Sequence, residues 1–80
     1  NLQKIRANIY GICLTVVQVT AKEKSGEDLW KDYCNRLHNI SKSWVESYGK
    51  AKIHQDVEKI LIEETKVQVL QAVKEKIPKL

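Results

Sequence analysis

Eighty residues with 42% hydrophobic and 30% charged side chains and a net charge of +4 describe one folded domain, near the size where a single core barely offsets the entropy of ordering the chain. This balance excludes an acidic disordered segment, and the longest apolar run, residues 9–19, is interrupted by Gly11, Thr15 and Gln18 and reaches only about half a bilayer span. A domain this small invites a further stabiliser: a disulfide, an oligomer interface or a bound partner.

Leu2, Ile5, Ile9, Ile12, Val16 and Val19 alternate spacings of three and four, the apolar seam of a helix over residues 2–21. A strand competes for the same stretch, because Ile9, Ile12, Thr15, Val16, Val17, Val19 and Thr20 are β-branched and Gly11 weakens a helix by about 1 kcal/mol. Residues 22–26 form a polar connector. Within it Ser25, with Asp28 three residues on, has the shape of a helix N-cap with an acid in the first turn.

The second helix is expected over residues 27–48. Trp30, Tyr33, Cys34, Leu37, Ile40, Trp44, Val45 and Tyr48 cover one side, while Lys31, Asp32, Asn35, Asn39, Lys42, Ser43 and Glu46 cover the other. Gly49 is its natural stop. Without Phe or Met in the chain, these aromatics must supply the bulk of a core otherwise built from Ile, Leu and Val.

Residues 51–77 hold no Gly or Pro and read as one long helix, with Pro78 just beyond. Their pattern changes sides. Ile53, Val57, Ile60 and Leu61 share a face, whereas Ile62, Val69, Leu70, Val73, Ile77 and Leu80 lie roughly opposite, with the charged residues 63–66 between them. Either the helix breaks near residues 63–66, or an unbroken helix buries its halves against different neighbours. The expected fold is all-α: a single domain over residues 1–80, a small antiparallel bundle of three long helices, or four if the last one breaks.

Cys13 and Cys34 fall at one level of the hairpin formed by the first two helices, so a disulfide is geometrically open and would stabilise by roughly 3 kcal/mol. The alternative is two reduced cysteines packed as small hydrophobes. Asn39-Ile40-Ser41 matches the N-glycosylation acceptor pattern on the solvent side of the second helix. The chain starts at Asn1 without a methionine or a secretion signal, as expected of a processed form or an excised domain. These clues leave the compartment open, with an intracellular setting slightly favoured over secretion.

Chemistry finds little to work with. His38 and His54 have no cysteine or carboxylate at a catalytic spacing, and no nucleophile elbow, phosphate loop or clustered metal-ligand set occurs. We therefore expect no enzyme, no cofactor and no metal. The 14 basic residues are interleaved with acids, and Lys74, Lys76 and Lys79 are the nearest approach to the basic stripe that nucleic-acid binding requires.

The leading functional expectation is a protein-protein interaction module. The hairpin packs with residues 53–61, while Ile62, Val69, Leu70, Val73 and Ile77 present a stripe to a partner helix or a second copy. The alternative is a secreted, disulfide-stapled helical protein acting as a ligand or as a peripheral lipid-surface binder through a basic amphipathic C-terminal half. Nucleic-acid binding is third.

Overall fold

The periodicity of residues 2–19 is realised as a helix, and so is everything else of length in the chain. A computed structural model describes residues 1–77 as three helices: α1 (Leu2–Glu23), α2 (Gly26–Ile53) and α3 (Val57–Glu75). Pro78, Lys79 and Leu80 lie outside the described residues. The all-α bundle is therefore confirmed, and the strand reading of α1 is overturned.

Each helix is started by local chemistry. Asn1 caps α1, its side-chain oxygen accepting from the Gln3 amide at 2.9 Å, which satisfies one of the free donors of the first turn. Ser25 occupies the N-cap of α2 in an extended conformation but makes no side-chain capping bond; Glu27 and Asp28 supply acid to the first turn. Gly26 follows with φ +59, a conformation that admits glycine cheaply, so the reversal from α1 to α2 is made in two non-helical residues.

The second reversal falls where no break was expected. α2 runs through Gly49, which is not in a left-handed conformation, and ends at Ile53, while α3 is continuous through residues 63–66. Gly49 therefore does not stop the helix, and among the described residues no fourth helix forms. The elbow is residues 54–56, built as a Schellman motif: the Gln55 amide bonds to the Lys52 carbonyl at 3.1 Å, and the Asp56 amide to Ala51 at 3.3 Å. Gln55 takes the left-handed position at φ 55, which is usually glycine's. Asp56 then caps α3 by accepting from the Lys59 amide at 3.1 Å.

Three contacts set the register. The Tyr33 hydroxyl donates to the Cys13 carbonyl, Lys66 Nζ lies over the Trp44 ring at 4.9 Å, and Tyr33 lines a small cavity with Val73 and Ile77. Eleven residues separate Trp44 from Tyr33 and eleven separate Lys66 from Ile77, so α2 and α3 run antiparallel in step. α1 and α3 both run against α2 in an up-down-up order. The body is 43 × 22 × 18 Å, and its length is that of α2, whose 28 residues span about 42 Å at 1.5 Å per residue.

The core is Ile9, Cys13, Tyr33, Leu37, Val69 and Leu70, with Ile5, Val16, Val17, Trp30, Ile40, Trp44, Val73 and Ile77 packed around it. Of the aromatic stripe, Tyr33 is core and Trp30 and Trp44 pack half-buried against it, while Tyr48 lies outside the core cluster under Lys52. Thr20 and Thr65 are also buried, and their hydroxyls bond back to the carbonyls of Val16 at 2.7 Å and Leu61 at 2.8 Å. A buried hydroxyl satisfied in this way avoids the cost of an orphaned polar group.

Candidate interaction surface

The two halves of the C-terminal segment exchange the roles expected of them. Leu70 is 1% exposed and Val69 is also buried, with Ile62, Val73 and Ile77 half-buried beside them, so the stripe expected to face a partner faces α1 and α2 instead. Ile53 and Val57, expected in the core, are each 79% exposed, and Leu61 is half exposed. Helix length explains the exchange. α1 has 22 residues and α2 has 28, and only two residues join them at the opposite end, so α2 outruns α1 by about six residues at the elbow. There the last turns of α2 and the start of α3 extend past α1, and no described residue covers their outward apolar side chains.

The face switch had a second cause. Glu63 and Thr65, which separated the two stripes in sequence, are themselves buried. Glu63 Oε2 is shielded from solvent and lies 3.3 Å from Lys66 Nζ, outside hydrogen-bond geometry. A charged residue on the inner face hides the continuity of that face from a hydrophobicity pattern.

The cysteines are free, Cys13 buried and Cys34 exposed. Tyr33 meets Cys13, which turns Cys34, the next residue on the helix, about 100° outward. The disulfide that the sequence left open is therefore not formed, and burial pushes the Cys13 thiol pKa up. Asn39 is exposed, as are His38 and the α2 C-cap His54. Among the described residues, no three His, Cys, Asp or Glu side chains group in a way that could hold a metal ion, and no helix is long and apolar enough to cross a membrane.

Half of the exposed large hydrophobics among the described residues, Tyr10, Ile12, Leu14 and Val19, lie on α1; the others are Val45, Ile53, Val57 and Leu61. The buried residues of α1 are Ile9, Cys13 and Thr20, so the seam read from sequence is rotated: Ile12 and Val19 are 40% and 41% exposed. They border two adjoining hollows. One, of about 360 Å³, runs between α1 and α2 and is lined by Thr15, Val16, Val19, Arg36, Asn39 and Ile40. The other is a shallow open patch on α1 alone, along Asn8, Gly11, Ile12, Thr15 and Val16. A Cβ added at Gly11 would meet nothing within 4 Å, and the Thr15 hydroxyl turns back onto the Gly11 carbonyl at 3.0 Å.

No family model, curated protein or solved structure matches this chain.

The surface must therefore be read from its own chemistry. Residues 7–21 contain no charged side chain on any side of the helix, although Tyr10, Ile12, Leu14 and Val19 are substantially exposed. A helix with one buried face normally carries charge on the other. That excess was visible in the sequence but was absorbed into the assumption of a single apolar seam. At the far end of the groove, Arg36 bridges Glu23 at 2.8 Å and Asp32 at 3.1 Å, tying α1 to α2.

Proposed function

We propose that this chain is a non-catalytic protein-protein interaction module that docks a partner helix on the open face of α1 and in the groove between α1 and α2. The observation carrying this reading is the coincidence of exposed Ile12 and Val19, in the uncharged residues 7–21 of α1, with a groove floored by Thr15, Val16 and Ile40, whose one charged lining residue, Arg36, is already paired with Glu23 and Asp32. An apolar helix laid there would cover aliphatic surface without burying an unpaired charge. No catalytic group takes part.

The test uses a designed amphipathic helix of Leu and Lys carrying a fluorophore. Binding should be lost in Ile12→Asp/Val19→Asp and kept in Ile53→Asp/Val57→Asp, with both variants still helical by circular dichroism. Equal loss in both variants, or no binding to the parent chain, overturns the assignment to α1.

The elbow supports a second reading, peripheral contact with an anionic lipid surface. Ile53 and Val57 protrude at the elbow, where Lys50, Lys52 and Lys59 outnumber Asp56 and Glu58, so aliphatic tips could enter an interface while the lysines meet headgroups. Phosphatidylserine vesicles should retain the parent chain and release Ile53→Asp/Val57→Asp; no retention by these vesicles removes this reading.

A further inference from the structure

The contacts that hold α3 do not require it to belong to the same chain as α1 and α2. We propose that the elbow at residues 54–56 opens, α2 and α3 join into one continuous helix, and α3 packs on α1 and α2 of a second copy, whose own α3 fills the vacated site. This exchange goes beyond the docking reading and is independent of it, because the groove between α1 and α2 stays within one chain.

The phase of the two inner faces carries the inference. Leu37, Trp44 and Ala51 of α2 and Ile62, Val69 and Val73 of α3 are all buried or half-buried. On a single unbroken helix at 100° per residue, all six fall within about 20° of one line. Periodicity inside α2 or inside α3 does not set this relation, and the closed hairpin does not need it, since the elbow resets the rotation of α3. A single helix that serves both halves of the interface does need it.

Register is kept as well. Lys66 lies over the Trp44 ring, and Ile77 lines a cavity with Tyr33; both pairs are centred on residue 55, inside the elbow. Two continuous helices crossing antiparallel at residue 55 therefore set Trp44 against Lys66 of the second copy with no shift along either axis. An exchanged element replaces itself, so the contacts of α3 are matched without any new complementarity.

The elbow is a hinge under strain. Residues 50–77 contain no Gly or Pro, and the reversal rests on Gln55 at φ 55, a conformation that a side chain with a Cβ disfavours. The closed turn bonds the Gln55 amide to Lys52, the Asp56 amide to Ala51 and the Lys59 amide to the Asp56 side chain. As first-turn donors of α3, the Val57 and Glu58 amides have no helical carbonyl before them. A continuous helix replaces the bonds of the turn with helical ones, offers those two amides the carbonyls of Ile53 and His54, and removes the left-handed residue. Short strained hinges of this kind favour exchange once concentration offsets the entropy of pairing two chains.

The test reads the distance between α2 and α3 within one chain. Lys42→Cys/Gln68→Cys in a Cys34→Ser background carries spin labels at two exposed positions, while Cys13 is buried. The labelled chain is mixed with excess unlabelled chain, unfolded, refolded at millimolar concentration and separated by size exclusion. In the monomer, double electron-electron resonance should give the short separation of neighbouring helices, whose axes lie about 10 Å apart. In the dimer the same labels should lie about 39 Å apart, 26 residues along one helix. Gln55→Gly, which eases the closed elbow and weakens the continuous helix in both copies, should raise the dimer dissociation constant by at least about tenfold, and Gln55→Ala should lower it. The absence of a dimer after refolding, a dimer that keeps the monomer's label distance, or one that Gln55→Gly and Gln55→Ala leave equally strong overturns the exchange.

Discussion

The hydroxyl of Tyr33 donates to the main-chain carbonyl of Cys13 at 3.0 Å, a buried bond between helices made by residues twenty positions apart. It fixes the level at which α1 and α2 meet, and it places two titratable groups side by side in the core. Burial pushes the Tyr33 hydroxyl above its ordinary pKa of 10.0, with the neighbouring Cys13 thiolate adding to the effect, and burial raises the Cys13 thiol above 9.0.

Both shifts have the same sign for stability. A group whose folded pKa is raised contributes stability that is fully present below its unfolded pKa and lost as pH rises through the folded value. Urea midpoints should therefore hold steady at neutral pH and decline once pH passes about 9 to 10, where the unfolded thiol and phenol ionise. Tyr33→Phe should cost about 1 kcal/mol at neutral pH, the value of one buried neutral hydrogen bond, and should flatten the alkaline decline. An unchanged alkaline limb in Tyr33→Phe combined with Cys13→Ala would refute the assignment.

Thiol titration checks the helical register directly. The native chain, purified without reductant, should show two free thiols, with Cys34 reacting at once and Cys13 only as the helices open, because α1 buries one and α2 exposes the other. One fast and one slow phase is the expected trace. A single phase, or no free thiol, contradicts this packing.

Replacing Gln55 by glycine should stabilise the chain. A residue with a Cβ at φ 55 costs about 1 kcal/mol relative to its preferred regions, and the Schellman bonds at the elbow do not use the Gln55 side chain. After subtracting the extra freedom glycine has when unfolded, Gln55→Gly should gain about 0.5 kcal/mol, measured as a higher urea midpoint at constant slope. A loss of stability would mean that the elbow is not in this conformation.

The inner ion pair should behave asymmetrically. Glu63 is 8% exposed, and among the described residues the cation beside its shielded oxygen is Lys66. Removing the cation in Lys66→Met leaves a desolvated carboxylate and should cost about 1–3 kcal/mol, discounted because the lysine side chain keeps a quarter of its exposure. Glu63→Met removes the charge with it and should be neutral or stabilising. The reverse ranking would show that Glu63 has partners beyond Lys66.

Much of this fold is legible in the residues. The start of α1, the start of α2 and the aromatic core of α2 follow from spacing. What was misread turns on single residues. Gly49 resembles a stop but sits in ordinary helix, whereas the true stop is a glutamine in glycine's conformation, which no propensity marks. Asp56 with Glu58 behind it was the available signal, an N-cap followed by an acid in the first turn. Missing it assigned Ile53 to the wrong helix, and the buried charge at Glu63 then made one inner face look like two. The α1 surface was obscured for the opposite reason: an apolar helix with little charge fits any burial, so its sequence does not say which side is left open.

The up-down-up path sends α1 and α3 in the same direction along their shared contact, so Leu2 and Ile77 lie at opposite ends of that contact. A tension applied between the two ends would slide α1 against α3 along their length, loading Ile9, Cys13, Val69 and Leu70 together instead of peeling one helix off turn by turn. Set in series with other segments, such a body would act as a stiff spacer that yields all at once.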